Sequence, residues 1–406
     1  MVPKGWKLTS LGEICNGNLQ TGPFGSQLHA HEYVPVGIPV LMPKDLIGCR
    51  AKLADAAKIN QKKAQELKKH FLKTGDLLFS RRGDVARFAL IDEESEGSIC
   101  GTGCLKARPS DKHSSAFLAY FLQKDSIRKW LEQNAVGQTM PNMNTEILNE
   151  LPLMAASSKQ EEDRIAQILS TWDKAISVTE KLLTNSQLQK KALMQQLLTG
   201  KKRLLNENGG RFIGEWCTCT LSEVAHIIMG SSPKSEAYND NGLGLPLIQG
   251  NADIKCRVSC PRVYTSDITK ECSPGDILLS VRAPVGTVAL SQHKACIGRG
   301  ISAIKSKRKM SQSFLYQWFL WFEPKWCYLS QGSIFESINS DDIKTLKLSV
   351  PNFEEQQKIA TVLSAADDEI ATLEKKLACL KDEKKALMQQ LLTGKRRVKI
   401  DEAVAA

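Results

Sequence analysis

Arg82 and Arg282 stand in matched surroundings, each a few residues after a Gly-Asp-aliphatic-Leu run, Gly75–Leu78 in one case and Gly275–Leu278 in the other. An arginine on a loop presents a planar fork of donors that suits a guanine edge, a phosphate or a carboxylate. Other chemistries each lack a part. Transfer of a methyl group to an exocyclic amine needs an Asp/Asn-Pro-Pro-aromatic element to hold the flipped base, and no Pro-Pro dipeptide occurs. Gly200-Lys201 and Gly394-Lys395 are followed by Lys202 and Arg396, not by the Ser or Thr of a phosphate-cradling loop. Gly101-Thr102-Gly103 and Gly298-Arg299-Gly300 are too short to specify a nucleotide, and the G-x-S-x-G nucleophile elbow is missing. The 12 cysteines include Cys217/Cys219, Cys100/Cys104 and Cys256/Cys260 but no C-x-x-C unit, and with only six histidines no zinc site is expected. The chain therefore reads as non-catalytic and metal-free.

These residues are carried by a chain of 406 residues, long enough for two or three globular units with sizeable cores. A balance of 55 Lys+Arg against 44 Asp+Glu gives +11, compatible with a polyanionic partner and equally with a solvated basic surface. No apolar run reaches membrane-spanning length, and Met1–Trp6 lacks the layout of a signal peptide. The expectation is a cytoplasmic chain with no membrane partner.

An internal repeat sets the architecture. Lys190–Lys201 recurs unchanged as Lys384–Lys395, and the same spacing pairs Ile165 with Ile359, Leu169 with Leu363 and Asp173 with Asp367. The stretch from Glu161 to Thr199 holds no proline or glycine, and Gly200 and Gly394 stand where a helix would close. In the second copy Ile370, Leu373, Leu377, Leu380, Leu387 and Leu391 form a coiled-coil seam interrupted only by Lys384. The first copy, with Ile176, Leu183, Leu193 and Leu197, is less apolar, so the two helices are expected to pair with each other. The intervening regions are related more loosely. Trp6 and Leu11 match Trp216 and Leu221, Pro39–Leu41 matches Pro246–Ile248, and Cys49-Arg50 matches Cys256-Arg257. Each contains short strand-like runs (76–80, 86–91, 276–281, 287–290) and a helical stretch near 117–132 or 314–328. The fold class is thus α+β: two mixed α/β domains separated by two long antiparallel helices in a coiled coil, as a pseudo-twofold repeat. The boundaries fall at 1–155, 156–208, 209–352 and 353–400.

The stretches Gln20–Leu28, Ile38–Asp45, Gly75–Leu78 and Gly137–Asn144, with the helix starts Glu161–Ala166 and Glu354–Ala360, resemble the specificity subunits of type I restriction-modification systems over nearly the whole chain. The resemblance implies two target-recognition domains, each reading half of a bipartite asymmetric site in double-stranded DNA, with the helices as a ruler. It also implies two methyltransferase subunits as partners, with restriction/translocase subunits in a full complex. S-adenosylmethionine, and ATP with Mg2+, would be cofactors of those partners and not of this chain. Base reading calls for Arg or Lys opposite guanine and Asn or Gln opposite adenine on anchored loops. The candidates are Lys44, Arg81, Arg82, Arg87, Gln138, Thr139 and Asn142 in the first domain, and Lys234, Gln249, Asn251, Arg282, Arg299, Ser333 and Phe335 in the second. The lysine run 58–73, Lys201–Arg203 and Lys395–Arg397 read as phosphate clamps, as solvated faces, or, for the last two, as complements to helix C-termini. A coiled-coil adaptor that binds only proteins and a stand-alone DNA-modifying enzyme remain as alternatives.

Overall fold

The computed structural model describes residues 2–137, 141–326 and 337–399. The chain divides into two compact units, Met1–Val178 with Leu377–Ala406, and Thr179–Lys376. This division cuts through both long helices, so segments 156–208 and 353–400 each serve both units.

Both units repeat one topology. In the first, a six-stranded sheet runs Leu19–Thr21, Cys104–Ala107, Leu77–Ser80, Phe88–Leu90, Arg50–Ala51, Leu46–Ile47. In the second, the same order is Ala225–Met229, Ile301–Ser306, Ile277–Ser280, Val288–Leu290, Val258–Ser259, Ile254–Lys255. A smaller sheet lies beside each, four-stranded around Ile38–Leu41 and five-stranded around Leu245–Ile248. The strand Leu77–Ser80 is buried along its length because both of its faces are covered. Alternation sends Leu77 and Phe79 into a core with Phe117 and Leu148, and Leu78 into a second core with Leu41 and Cys104. Ile277, Leu279 and Leu278 divide in the same way. The Gly-Asp pair before each strand makes the turn, with the Asp76 carboxylate accepting Lys73 N–H at 2.9 Å and Asp276 accepting Ser273 N–H at 2.7 Å.

The helix of residues 117–132 is two helices, Ser115–Leu122 and Asp125–Asn134, and its counterpart Gln312–Phe322 ends in a 3-10 turn at Glu323–Lys325. Pro324 in that turn cannot supply the N–H a continuing helix would require.

The long helices run Lys159–Leu197 and Phe353–Leu391. In the first unit Ile165, Ala166 and Leu169 of the central helix share a core with Leu391 and Leu392 of the C-terminal one. In the second unit Ile359, Ala360 and Leu363 share a core with Met194, Leu197 and Leu198. The seam residues Ile176, Leu183, Leu193, Ile370, Leu373, Leu377, Leu380 and Leu387 are half-buried, and Leu197 and Leu391 are buried, whereas Leu182 and Leu188 off the seam are exposed. The seam lysines are neutralised within each unit: Lys384 meets Asp173 at 2.5 Å in the first, and Lys190 meets Asp367 in the second. Arg397 pairs with the buried Glu161 at 2.5 and 2.9 Å, and Arg203 with the buried Glu355 at 2.6 Å through both nitrogens. These two arginines, read from sequence as DNA contacts or helix-end complements, fasten the segment just past the end of one helix to the first turn of the other. Gly200 and Gly394 close the helices in the left-handed region, where the rings of Trp216 and Trp6 lie against them.

Candidate nucleic-acid interface

The described candidate residues sit on loops that meet at one end of each large sheet. In the first unit the loop after Leu77–Ser80 is pinned by Arg81 N–H to the Gly103 carbonyl at 2.8 Å and by the Ser80 hydroxyl to the Arg82 carbonyl at 2.9 Å. In the second, Val281 N–H reaches the Gly300 carbonyl at 3.0 Å and the Ser280 hydroxyl the Arg282 carbonyl at 3.0 Å. Arg82 and Arg282 then make equivalent single bridges, with Asn142 and with Ser337, and both side chains are exposed. Neither side chain has an ion-pair partner among the described residues. A guanidinium fixed at its backbone and free at its tip is what pairing with a base edge or a phosphate requires.

Two further loops join each arginine. Gly22 and Gly230 lie so near the carbonyls of Gly101 and Gly298 that a Cβ would be 1.8 and 2.2 Å away, so only glycine lets these backbones touch. The turn after the neighbouring strand completes the cluster, because Gly101 N–H donates to the Leu41 carbonyl and Gly298 N–H to the Ile248 carbonyl, both at 2.9 Å. In the second unit this brings together the loops of Lys234, Gln249, Arg282 and Arg299, all exposed. Gln249 N–H is tied to Asp253 at 2.8 Å and Lys234 N–H to Asp267 at 3.0 Å, so each backbone is set while its side chain is free. Asn251 is half-buried in the next 3-10 turn.

The first unit places Lys44, exposed, on the 3-10 turn Pro43–Asp45, with its ammonium donating to the Asp55 carbonyl at 3.3 Å. Arg81 is half-buried, and its Nε, like the Asn142 Oδ1, is enclosed without a protein partner. Arg87 differs from the rest. Its guanidinium donates to the Pro43 carbonyl at 3.2 Å and lies 3.7 Å from the Asp84 carboxylate, holding two loops together. Arg257 of the second unit is engaged in a similar way, by the Val288 carbonyl and Glu323. Gln138, Thr139, Ser333 and Phe335 lie outside the described residues.

Two further residues on these loops were not among the sequence candidates: Phe24, 58% exposed on the loop after Leu19–Thr21, and Thr102, which stands where the second unit has Arg299. The repeat itself carries the signal for Thr102, since Gly101-Thr102-Gly103 matches Gly298-Arg299-Gly300. Phe24 had no such signal, because the corresponding loop of the second unit has Ser232.

Beneath the first cluster, the Lys106 side chain is buried on Cys104–Ala107 and donates to the carbonyls of Lys69 and Phe71 at 2.9 and 3.3 Å. Burial pushes its ammonium below the usual lysine range. His70 beside it is buried, with neither ring nitrogen matched, and burial together with the charges of Lys69 and Lys106 pushes it down to about 4.

Among the described residues no helix is long and apolar enough to cross a membrane, and no cluster of His, Cys, Asp or Glu could hold a metal ion.

The chain matches the family model described as the type I restriction modification DNA specificity domain over residues 3–188 and 213–382. It is 31% identical, over 98% of its length and 95% of the relative's, to the "Putative type I restriction enzyme MjaX specificity subunit" of Methanocaldococcus jannaschii. It is 30% identical over 41% of each chain to the MjaIX specificity subunit of the same organism. Among solved structures, the S subunit of a type I restriction-modification system from M. genitalium aligns with a TM-score of 0.61 at 17% identity, covering 97% of this chain and 96% of that one. The HsdS subunit of Thermoanaerobacter tengcongensis aligns at 0.51 and 23%, covering 97% and 98%. At these identities the structures show a shared fold.

Proposed function

Because the chain belongs to the family of type I restriction-modification specificity subunits, we propose that its two units each read one half of a bipartite, asymmetric DNA site. It is the sequence-specific DNA-recognition subunit and has no catalytic role of its own. One observation carries the reading of two unlike halves: the loop cluster repeats while its side chains change. Arg82 and Arg282 are common to both clusters, but Met42 and Thr102 of the first are replaced by Gln249 and Arg299 of the second. One scaffold with two sets of donors and acceptors suits two different base sequences.

The central and C-terminal helices act as the spacer in a coiled coil. At about 1.5 Å per residue, a helix of 39 residues is roughly 58 Å long, more than one turn of duplex. Their repeated sequences offer two similar faces to two methyltransferase subunits, and restriction/translocase subunits join in a full complex. S-adenosylmethionine and, for translocation, ATP with Mg2+ are bound by those partners, in the cytoplasm.

The test is sequencing of methylated DNA from cells expressing the cognate methyltransferase subunit with and without this chain. A bipartite methylated motif that appears only with the chain is the expected result. Methylation unchanged by the chain would overturn the reading and favour the protein-only adaptor.

A further inference from the structure

The units differ where the chain crosses between two strands of the smaller sheet. In the second unit Thr265 reaches Glu271 through the short link 266–270, whereas in the first Ile59 is followed by the helix Gln61–Glu66 and the 3-10 turn Lys68–His70 before Phe71 bridges Ile99. The insertion is basic. Lys63 is neutralised by Glu32 and Glu66, but Lys68 and Lys69 are exposed and have no acidic partner among the described residues.

This turn is fixed in place. The Lys106 ammonium donates to the carbonyls of Lys69 and Phe71, a use of a buried charge that the second unit, with Ala303 in the corresponding strand, does not make. Lys106 pairs across the sheet with Gln20, and the Thr21 backbone lies beside the His70 ring. The strand Leu19–Thr21 leads directly into the Gly22–Phe24 loop of the reading cluster. The lysines are therefore continuous with the face that carries Arg82 and match a polyanion in charge.

We propose that Lys68 and Lys69 form a phosphate clamp on the DNA backbone flanking the half-site read by the first unit, where the shorter link of the second unit carries one exposed lysine, Lys270. This rests on the assignment of the loop clusters as the DNA-reading face. The clamp adds affinity without base preference, so the two halves contribute unequally to binding, and the first carries more of the salt dependence.

The test compares the full-length chain with its K68Q/K69Q and R82A variants on a duplex carrying the motif that the chain directs to be methylated, titrated with salt. Two lost phosphate contacts should lower the slope of log K against log salt by about 1.8. The preference of K68Q/K69Q for the intact first half over a scrambled one should stay at the wild-type value. An unchanged slope in K68Q/K69Q, with R82A losing recognition of the first half, would overturn the clamp and leave the reading face standing. Wild-type discrimination of both halves by R82A would remove the reading face, and the clamp with it.

Discussion

Arg82 and Arg282 have their backbones fixed by equivalent bonds and their guanidinium groups free, as the proposed reading of DNA by these two residues requires. Substituting either by Ala should weaken binding by about 1–3 kcal/mol, each at a different half-site. Competition binding with duplexes mutated in one half at a time would check this, and loss at the same half from both substitutions would sink the two-reader assignment. Arg87 should behave differently. Since it spends its donors on Pro43 and Asp84, Arg87→Ala should lower the stability of the first unit without changing which bases are preferred. This pairing explains why the sequence could propose Arg87 as a reader: residue type and loop position are visible in it, but a carbonyl 44 positions away is not.

His70 carries a pH prediction. Its folded-state value of about 4 lies below the usual value of about 6.5, so the unfolded chain takes up the proton first. The stability that depends on a neutral His70 is complete above about pH 6.5 and is lost as pH falls from there toward 4. Thermal unfolding at stepped pH should show the first unit weakening through this window, and His70→Phe should flatten that part of the profile. An unaltered profile in the variant would contradict the assignment.

At the scale of elements, the long helices were the most legible feature, because an unbroken run without Pro or Gly and a 3-4 apolar spacing leave little else for the chain to form. Their exchange of ends was not legible. Glu161 and Glu355 lie in the first turns, with Arg203 and Arg397 just past the last turns, and nothing in the spacing says that each arginine serves the other helix's glutamate. The neighbouring Glu162 and Gln356 have parallel roles, accepting N–H groups from Ser114 and Ser311 that start the helices below them. Helix starts that looked like a family signature are thus a set of side chains tying helix to globule. Arg397→Ala strands the buried Glu161 carboxylate, and should destabilise the first unit by about 2 kcal/mol, less than a fully enclosed pair because Arg397 is partly solvated. Adding Glu161→Gln should recover part of the loss. Calorimetry of the three variants would show it, and equal stability of Arg397→Ala and wild type would refute it.

At the scale of the whole molecule, the repeat made two similar globules legible, since paired landmarks such as Gly75-Asp76 and Gly275-Asp276 mark the same turn before the same buried strand. The way the helices are shared was hidden, because segments far apart in sequence complete each unit: Leu391 and Leu392 close the first core, and Met194 and Leu197 the second. The insertion at 60–70 was visible as a lysine run, but its buried anchor, Lys106, lay in an otherwise apolar strand and gave no sign of its role. Two units with a common frame and different loop side chains predict modular recognition. The direct measurement replaces residues 1–155 with the equivalent segment of a relative of different specificity and sequences the methylated DNA. A motif changed in one half, with the other half and its orientation kept, is the expected result; a motif changed in both halves, or in neither, would contradict two independent readers.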